Sequence, residues 1–329
     1  MEGDMHIAIL SRNKNLHSIR RLLKEAKKSR IHCDIIDPLE CEIIVDGADS
    51  KILVGGKLLP HYDAILPRIG ASITDYGLSV VKQFEVTGVA TVNGSRAIAE
   101  SRDKMRCLQV LVAAGLKVPR SVLTRTSRGL RTAVETVKGL PVVLKLLQGT
   151  QGVGVMIVHS PISLGSVCET LHGLDKDVII QQFIAEGAGR DYRAFVVGDR
   201  VVAAMMRTAP EGEFRSNIHR GGEGRLVDLP IEFERAAIKA AQTLGLQIAG
   251  VDLMESNEGP LILEVNSSPG FEGIEKATGL NIARFMIQQI RGFAKSQKKP
   301  KKQAKSKPKK LARKKTTSKT KPKPRKKKK

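Results

Sequence analysis

The stretch Ile248-Ala-Gly-Val-Asp252-Leu-Met-Glu-Ser-Asn-Glu-Gly-Pro-Leu-Ile-Leu-Glu264-Val-Asn266 decides how this chain is read. Two apolar-rich runs flank Ser256, Asn257, Glu258, Gly259 and Pro260, a cluster of turn formers, so the segment reads as one hairpin. Folding it symmetrically about residue 258 sets Asp252 opposite Glu264. Side chains alternate across a strand. Val251 and Leu253 then share a face with Leu263 and Val265, while Asp252, Glu264 and Asn266 share the other. Carboxylate and amide oxygens suit Mg²⁺ or Mn²⁺, and Mg²⁺ is usually held by one or two carboxylates plus substrate phosphates. The solvated outer face of an ordinary hairpin would show the same alternation, and the rest of the chain decides between the two.

At 329 residues with 41% hydrophobic content, the chain has length for two or three small domains and a sizeable core. No run of about eighteen apolar residues exists, so no membrane span is predicted. MEGDMHIAIL lacks the charged and apolar regions of a signal peptide. Cys33, Cys41, Cys107 and Cys168 are scattered without a CxxC pair. That suits reduced, mostly buried thiols in a cytoplasmic protein and gives no support to zinc or disulfides. The net charge of +23 is unevenly spread: residues 297–329 carry 17 Lys, 2 Arg and no acid, leaving only +4 on the body. A Lys-, Pro-, Ser- and Thr-rich tail cannot bury a core, so it is expected to be disordered. Such tails grip polyanions through phosphate neutralisation. RNA or ribosome contact is expected there, without base stacking, since no aromatic interleaves the lysines.

Residues 6–11, 16–29 and 33–37 read as strand, amphipathic helix and strand, which implies a right-handed parallel unit. A hairpin (43–45 with 52–54), a strand at 64–67, a helix at 75–87 and a strand at 89–92 extend this α/β pattern to about residue 95. Ser11, Arg12 and Arg68 follow predicted strand ends, where open α/β sheets place ligands. A helix over 101–114 stops at Gly115. Short strands then dominate: 121–124, 142–146, 154–158, 178–182, 192–197 and 201–206. Gly198-Asp199 fits a two-residue type II′ turn between the last two. A final helix over about 280–292 precedes the lysine tail.

Pro141-Val-Val-Leu-Lys145-Leu-Leu-Gln-Gly149-Thr-Gln-Gly152-Val-Gly154-Val carries the second signal. Its GxxGxG order is not the dinucleotide fingerprint, and no Gly-Lys-Ser/Thr makes it a P-loop. A strand–glycine loop–strand can lie over phosphates as a flap with unshielded backbone N–H groups. Lys145 would add a point charge. Residues 178–184 turn polar at Gln182, next to Phe183, where backbone groups could read an adenine edge. Asp191 could accept ribose hydroxyls. Arg207 ends a hairpin strand, and EGEFRSNIHRGGEG, with Arg215, Asn217, His219 and Arg220, reads as a mobile loop bringing cations to developing phosphate charge. His219 reads as a solvated loop histidine rather than a general base.

SRDK around Lys104, Lys145 with GTQGVGV, Asp191, and Asp252 followed by LEVNSSPG resemble the ATP-grasp ligases. Within that superfamily, ILSRNKNLHSIRRL, DAILPRIGASIT, SRDKMRCLQVL, KLLQGTQGVGV, FRSNIHRGG and EVNSSPGFEGIEKATG look like the RimK family, which adds glutamate to the C-terminus of a small-subunit ribosomal protein. The resemblance covers roughly residues 5–292. It implies an α/β (α+β) ATP-grasp fold: an N-terminal parallel α/β pre-grasp domain over 1–100 and an ATP-grasp domain over 101–293. The latter would divide into a central lid, about 120–185, and a C-terminal antiparallel-sheet subdomain, about 186–293, before the tail at 294–329.

By position, the resemblance implies that Lys104 and Lys145 hold ATP phosphates, Gln182 and Phe183 contact adenine, and Asp191 contacts the ribose. Arg215, Ser216 and Asn217 would belong to the nucleotide and transfer site. Asp252, Glu264 and Asn266 would bind two Mg²⁺ or Mn²⁺ ions. The family often has Glu where this chain has Gln182, which bears on nucleotide preference, and nothing in it explains the lysine tail. Family chemistry implies an acyl phosphate on the acceptor carboxylate, then attack by the amine of L-glutamate. Arg207 is the candidate for stabilising the transferred phosphoryl and the oxyanion, a role in which one donor is worth ~3 kcal/mol. The resemblance also implies a homo-oligomer. Two other readings stay open: the same fold acting on a metabolite, carrier-protein or cofactor acceptor, and an RNA-binding protein with a vestigial ligase body.

Overall fold

The structure, a computed structural model, describes residues 5–147, 154–216 and 221–298. It opens with β1 (His6–Leu10), α1 (His17–Lys28) and β2 (His32–Ile36), then a small antiparallel sheet of β3 (Cys41–Ile44), β4 (Lys51–Val54) and β5 (Lys57–Leu58). β6 (Ala64–Pro67), α2 (Thr74–Val86) and β7 (Ala90–Thr91) complete a parallel sheet in the order β2-β1-β6-β7. β1 is covered on both faces, which is why it reads as a continuous apolar run. Ile7 and Ile9 pack with Ile19, Leu22 and Ala26 of α1, while Ala8 and Leu10 pack with Val80, Val81 and Phe84 of α2.

The helix predicted over 101–114 is instead two: α3 (Ser95–Arg102) and α4 (Lys104–Ala113). Asp103 between them is extended, and its carboxylate accepts from Arg106 N at 3.0 Å, a cap that restarts the helix. Lys104 thereby becomes the first residue of α4. Gly115 does stop that helix, at φ +75°.

A second, antiparallel sheet follows in the order β10-β9-β11-β8, built from β8 (Ser121–Thr124), β9 (Val142–Leu146), β10 (Val155–Val158) and β11 (Val178–Gln182). Two helices absent from the sequence reading, α5 (Leu130–Thr136) and α6 (Pro161–Gly173), cover one face. Val142, Leu144, Val178 and Ile180 meet Ala133, Leu164 and Cys168 there in a core of their own. The alternate residues Val143, Lys145, Ile179 and Gln181 face the other way.

The third sheet has the order β14-β13-β12-β15-β16: β12 (Arg190–Val197), β13 (Arg200–Thr208), β14 (Glu223–Leu226), β15 (Ile248–Met254) and β16 (Leu261–Asn266). Val197 pairs with Arg200 across Gly198 (φ +67°) and Asp199, the left-handed first position of a type II′ turn. On one face Ala194, Val196, Val251 and Leu253 pack on Phe233, Ala237 and Ala241 of α7 (Ile231–Thr243). On the other, Phe195, Val197 and Met205 pack with α8 (Glu272–Thr278) and α9 (Ile282–Lys298), in the same core that holds Ile7, Ile9 and Leu22. The first and third sheets thus share one core. α9 runs on to Lys298, past the end read from sequence, and Lys298 Nζ contacts Asp63.

The sequence had set Leu263 against the core with Val251 and Leu253. Asp252 does face Glu264, but Leu253 pairs with Ile262, so a bulge places Leu263 and Glu264 together at the cleft and gives the core position to Ile262.

Asn93, buried and left-handed at φ +67°, ties the N-terminal segment to this hairpin. Its Nδ2 donates to Ile248 O (2.6 Å) and Ser267 O (2.7 Å), and its Oδ1 accepts from Gln247 N (2.8 Å) and Ile248 N (3.1 Å). No helix among the described residues is long and apolar enough to cross a membrane.

Candidate active site

The second and third sheets enclose a cleft of about 1280 Å³, its open mouth included. From the second sheet come Lys145, Gln182 and Phe183, and from the start of α4 comes Lys104. The third sheet supplies Asp191, Arg207, Asp252 and Glu264, and the segment after β13 supplies Arg215 and Ser216. Ten of the twelve residues that the resemblance assigns to nucleotide, metal or phosphoryl transfer therefore line one cleft. Asn266 lies beside it, opposite Gly250 and two residues beyond Glu264. Asn217 falls outside the described residues, as do His219, Arg220, Gly149 and Gly152. Of the glycine loop, Gly154 is described: φ is +74°, and a Cβ there would sit 2.6 Å from Leu146 Cδ1, so the position demands glycine twice over.

The floor is a lattice of cross-strand charges. Asp191 on β12 pairs with Arg207 on β13, and Arg193 on β12 with Asp252 on β15. Arg207 Nε donates to Asp191 Oδ1 at 2.7 Å, and its Nη2 contacts both Asp191 Oδ2 and, at 3.1 Å, Asp252 Oδ2. Arg193 adds Nε to Asp252 Oδ1 at 2.7 Å and Nη2 to Oδ2 at 2.6 Å. Burial pulls Asp252 upward, but the charges of Arg193 and Arg207 outweigh it and hold this carboxylate below its ordinary range. Burial likewise opposes the charge of Arg207, and Asp252 and Asp191 outweigh it, so this guanidinium stays charged. Asp191, read as a ribose acceptor, has both oxygens engaged by Arg207. Arg193 was missed by the sequence reading, and only its register opposite Asp252 reveals it.

Glu264 differs from Asp252. Among the described residues its carboxylate makes no hydrogen bond or ion pair, and burial first, then the charge of Asp252, raises its pKa. The amide of Asn266 spends only a 3.5 Å contact from Nδ2 to Gly250 O, which leaves its oxygen unengaged by the described residues. The unengaged Glu264 carboxylate and the Asn266 amide oxygen, with Asp252, whose oxygens a cation would share with Arg193 and Arg207, form a hard-oxygen donor set that fits a divalent cation such as Mg²⁺. Lys145 faces this set from the opposite wall, and desolvation lowers its pKa, with Glu264 pulling the other way and Lys104 adding to the fall. Lys104 Nζ reaches Leu147 O at 3.4 Å. Arg215 spans from the third sheet to the second, donating from Nη1 to Val155 O at 3.3 Å while Glu213 holds it at 2.6 Å. The apolar Val143, Val155, Ile179 and Leu263 complete the lining. Elsewhere, His6, His32 and Asp34 cluster at the opposite end of the parallel sheet. There Asp34 is already satisfied by His6 Nε2 (2.8 Å) and Tyr62 Oη (2.9 Å).

Residues 5–98 match the RimK PreATP-grasp domain and residues 101–290 the RimK-like ATP-grasp domain. The chain belongs to the RimK-like ATP-grasp family. A Shewanella loihica protein named "Probable alpha-L-glutamate ligase" is 49% identical to this RimK-like chain over 292 residues, 88% of this chain and 97% of its own length. One of the same name from Vibrio atlanticus is 48% identical over 292 residues, with the same 88% and 97% coverage. Among solved structures, the ATP-grasp ligase PsnB complexed with minimal precursor, Mg and ADP superposes with a TM-score of 0.68 at 19% identity, covering 88% of this chain and 98% of PsnB. The RimK domain protein ATP-grasp from Sphaerobacter thermophilus gives 0.67 at 20%, covering 87% and 99%. These likenesses establish the ATP-grasp fold, and the close relatives place this RimK-like protein among ligases that form carbon–nitrogen bonds.

Proposed function

We propose that the protein uses ATP to join L-glutamate to the C-terminal carboxylate of a small-subunit ribosomal protein, releasing ADP and phosphate. One observation carries the reading: cations on one wall of the cleft, Lys104 and Lys145, face the hard-oxygen set Asp252 and Glu264 on the other. That is the charge pattern of a polyphosphate clasped between lysines and divalent metal. The relatives' names supply the glutamate, and PsnB, solved with minimal precursor, Mg and ADP and again with a precursor peptide and AMPPNP, supplies the precedent for metal, nucleotide and polypeptide in one fold.

A carboxylate is too poor an electrophile to form an amide directly. In the proposed sequence an acceptor carboxylate oxygen attacks the γ-phosphorus of ATP and the bond to the β-phosphate oxygen breaks, giving ADP and an acyl phosphate. The neutral amine of glutamate then attacks the acyl carbon, phosphate leaves, and the nitrogen loses a proton to solvent. Lys104, Lys145 and Arg215 hold phosphate oxygens, and the apolar Val143, Ile179 and Leu263 sandwich the base, whose edge meets Gln182 and Phe183. Asp252, Glu264 and Asn266 would hold two Mg²⁺ or Mn²⁺ ions, which supply neutralisation of the phosphate charge. Arg207 is fixed by Asp191 and Asp252, and we assign it both the order of the floor and a donor toward the transferred phosphoryl group. Asp191 acts mainly through Arg207 rather than by taking ribose hydroxyls.

Purified protein incubated with ATP, Mg²⁺, L-glutamate and total ribosomal proteins, followed by intact mass, tests this reading. Increments of one glutamyl residue on one small-subunit protein are expected. ATP hydrolysis indifferent to glutamate, with no protein gaining mass, would reject it.

A further inference from the structure

A half-buried guanidinium lies outside the nucleotide cleft without an anionic partner among the described residues. Arg68 directly follows β6, and its backbone N–H bonds Leu10 O at 2.9 Å, so it emerges beside the end of β1. β1 and β6 are the two central strands of the parallel sheet, and Arg68 stands at their carboxyl end, where open sheets of this kind bind ligands. Among the described residues its side chain makes no hydrogen bond and no ion pair; its Cζ rests 5.9 Å from the Phe271 ring. Arg12, just beyond β1, bonds only the Ser72 hydroxyl among the described residues, at 3.1 Å. Among the described residues nothing acidic balances either charge, and burial pulls Arg68 down to about 10, still cationic at neutral pH.

Two links connect this point to the cleft. Phe271 closes the short loop that leaves β16 after Glu264 and Asn266, and in that loop the buried Ser268 hydroxyl has no partner among the described residues. On the other side Arg102 donates to Ile69 O, to Gly70 O at 3.2 Å and to Thr74 Oγ1 at 2.6 Å, which fixes the segment after Arg68 against the end of α3, where Ser101 lines the cleft. The other cations at or beside the cleft have roles already: Arg193 and Arg207 bond aspartates, Arg215 bonds Glu213, and the reading above assigns Lys104 and Lys145 to the polyphosphate. A glutamyl substrate brings carboxylates that the chemistry leaves untouched and that still need a counter-charge.

We propose that Arg68, with Arg12 beside it, seats a non-reacting carboxylate of the glutamyl substrate, through the planar N–H fork that suits carboxylates. This rests on the ligase reading above. The carboxylate comes from free glutamate or from a glutamyl end of the acceptor, and kinetics tell these apart. Arg68→Met and Arg68→Lys are assayed for KM toward L-glutamate, toward an acceptor peptide ending in Glu-Glu, and toward ATP. Loss of a charged hydrogen bond predicts a rise of about 10- to 100-fold in one carboxylate KM, with the ATP KM unchanged. A rise for glutamate assigns the donor; a rise for the peptide assigns the acceptor. Guanidinium ion added to Arg68→Ala should restore part of the loss, which it would not do for a merely packing residue. Unchanged KM values for both carboxylate substrates, or a rise shared with ATP, overturn the proposal while leaving the ligase standing. Should the wild type ligate nothing, thermal protection by glutarate decides: protection lost on Arg68→Met supports the seat, and no protection of the wild type removes it.

Discussion

Arg207→Met removes the partner of Asp191 and one of the two partners of Asp252. Asp252 keeps Arg193 on both oxygens, whereas Asp191 keeps no partner among the described residues, because Arg207 engages both of its oxygens. All three side chains are at least nine-tenths buried, so the cost is that of an uncompensated buried carboxylate, about 3–5 kcal/mol. Asp191→Asn leaves Arg207 with Asp252 and a neutral neighbour, and should cost about 1–3 kcal/mol. With both substitutions no charge is orphaned, so the pair should fall short of additivity by roughly 1–3 kcal/mol. At ~2 °C per kcal/mol for a body of this size, Arg207→Met should melt about 6–10 °C below the wild type, with the double variant recovering several degrees of the summed loss. Asp252 adds a pH signature. Its pKa is depressed in the folded state, so its contribution is present above the unfolded value of about 3.9 and lost as pH falls through the folded one. Arg207→Met should therefore narrow the gap to wild type in acid. Thermal melts in parallel with kcat and the ATP KM make the measurement: kcat should collapse while MgATP still binds the folded variant. A variant melting within a degree of wild type, or two substitutions that simply add, would contradict the lattice described above.

Mg²⁺ with ADP should raise the melting temperature of the wild type, and Glu264→Gln should abolish that rise. Without metal, the raised pKa of Glu264 makes the wild type lose stability as pH climbs from the unfolded value of about 4.3 up to the folded one, a slope that Glu264→Gln should lack; equal slopes in pH-dependent melts would refute this. Lys145 is fully charged only below its lowered pKa, so ATP affinity by calorimetry should weaken on the alkaline side earlier than an ordinary lysine allows. Lys145→Met should bind weakly and show no such dependence. Asn93→Ala strips two donated and two accepted hydrogen bonds at a left-handed residue and should cost about 4 kcal/mol, read by denaturant unfolding. A loss under 1 kcal/mol would mean water replaces the amide. Gly154→Ala should lower nucleotide affinity and destabilise the β9–β10 hairpin by about 1–2 kcal/mol, seen as faster amide exchange in that hairpin alone.

What could be read from sequence was set by local periodicity. β6, β8, β9 and β11 fall on the predicted residues, and Asp252 meets Glu264, because turn chemistry and alternation fix a hairpin without help from elsewhere. Leu263 was misplaced because a bulge is decided by cross-strand packing, here by Ile262 filling the core. Arg193 and Asn93 act on residues 59 and 155 positions away, a separation that no window along the chain detects. The α3–α4 break was legible in principle, since Asp103 is a good cap, but the apolar spacing runs through it. α6 had its signals as well: Ser160 caps it, accepting from Ser163 N at 3.1 Å, and Pro161 stands at its first position.

The separate core of the second sheet has an energetic corollary. Ala133, Leu164 and Cys168 seal it without borrowing from the body that unites the other two sheets. That partition makes the second sheet a cooperative unit able to open while the remainder stays native. Lys145 and Gln182 ride on this unit, and Asp252 and Glu264 on its counterpart. A nucleotide gripped by both is therefore a clamp between two folding units, and its binding energy should appear as slowed hydrogen exchange across β9 and β11, far more than in β1 or β12.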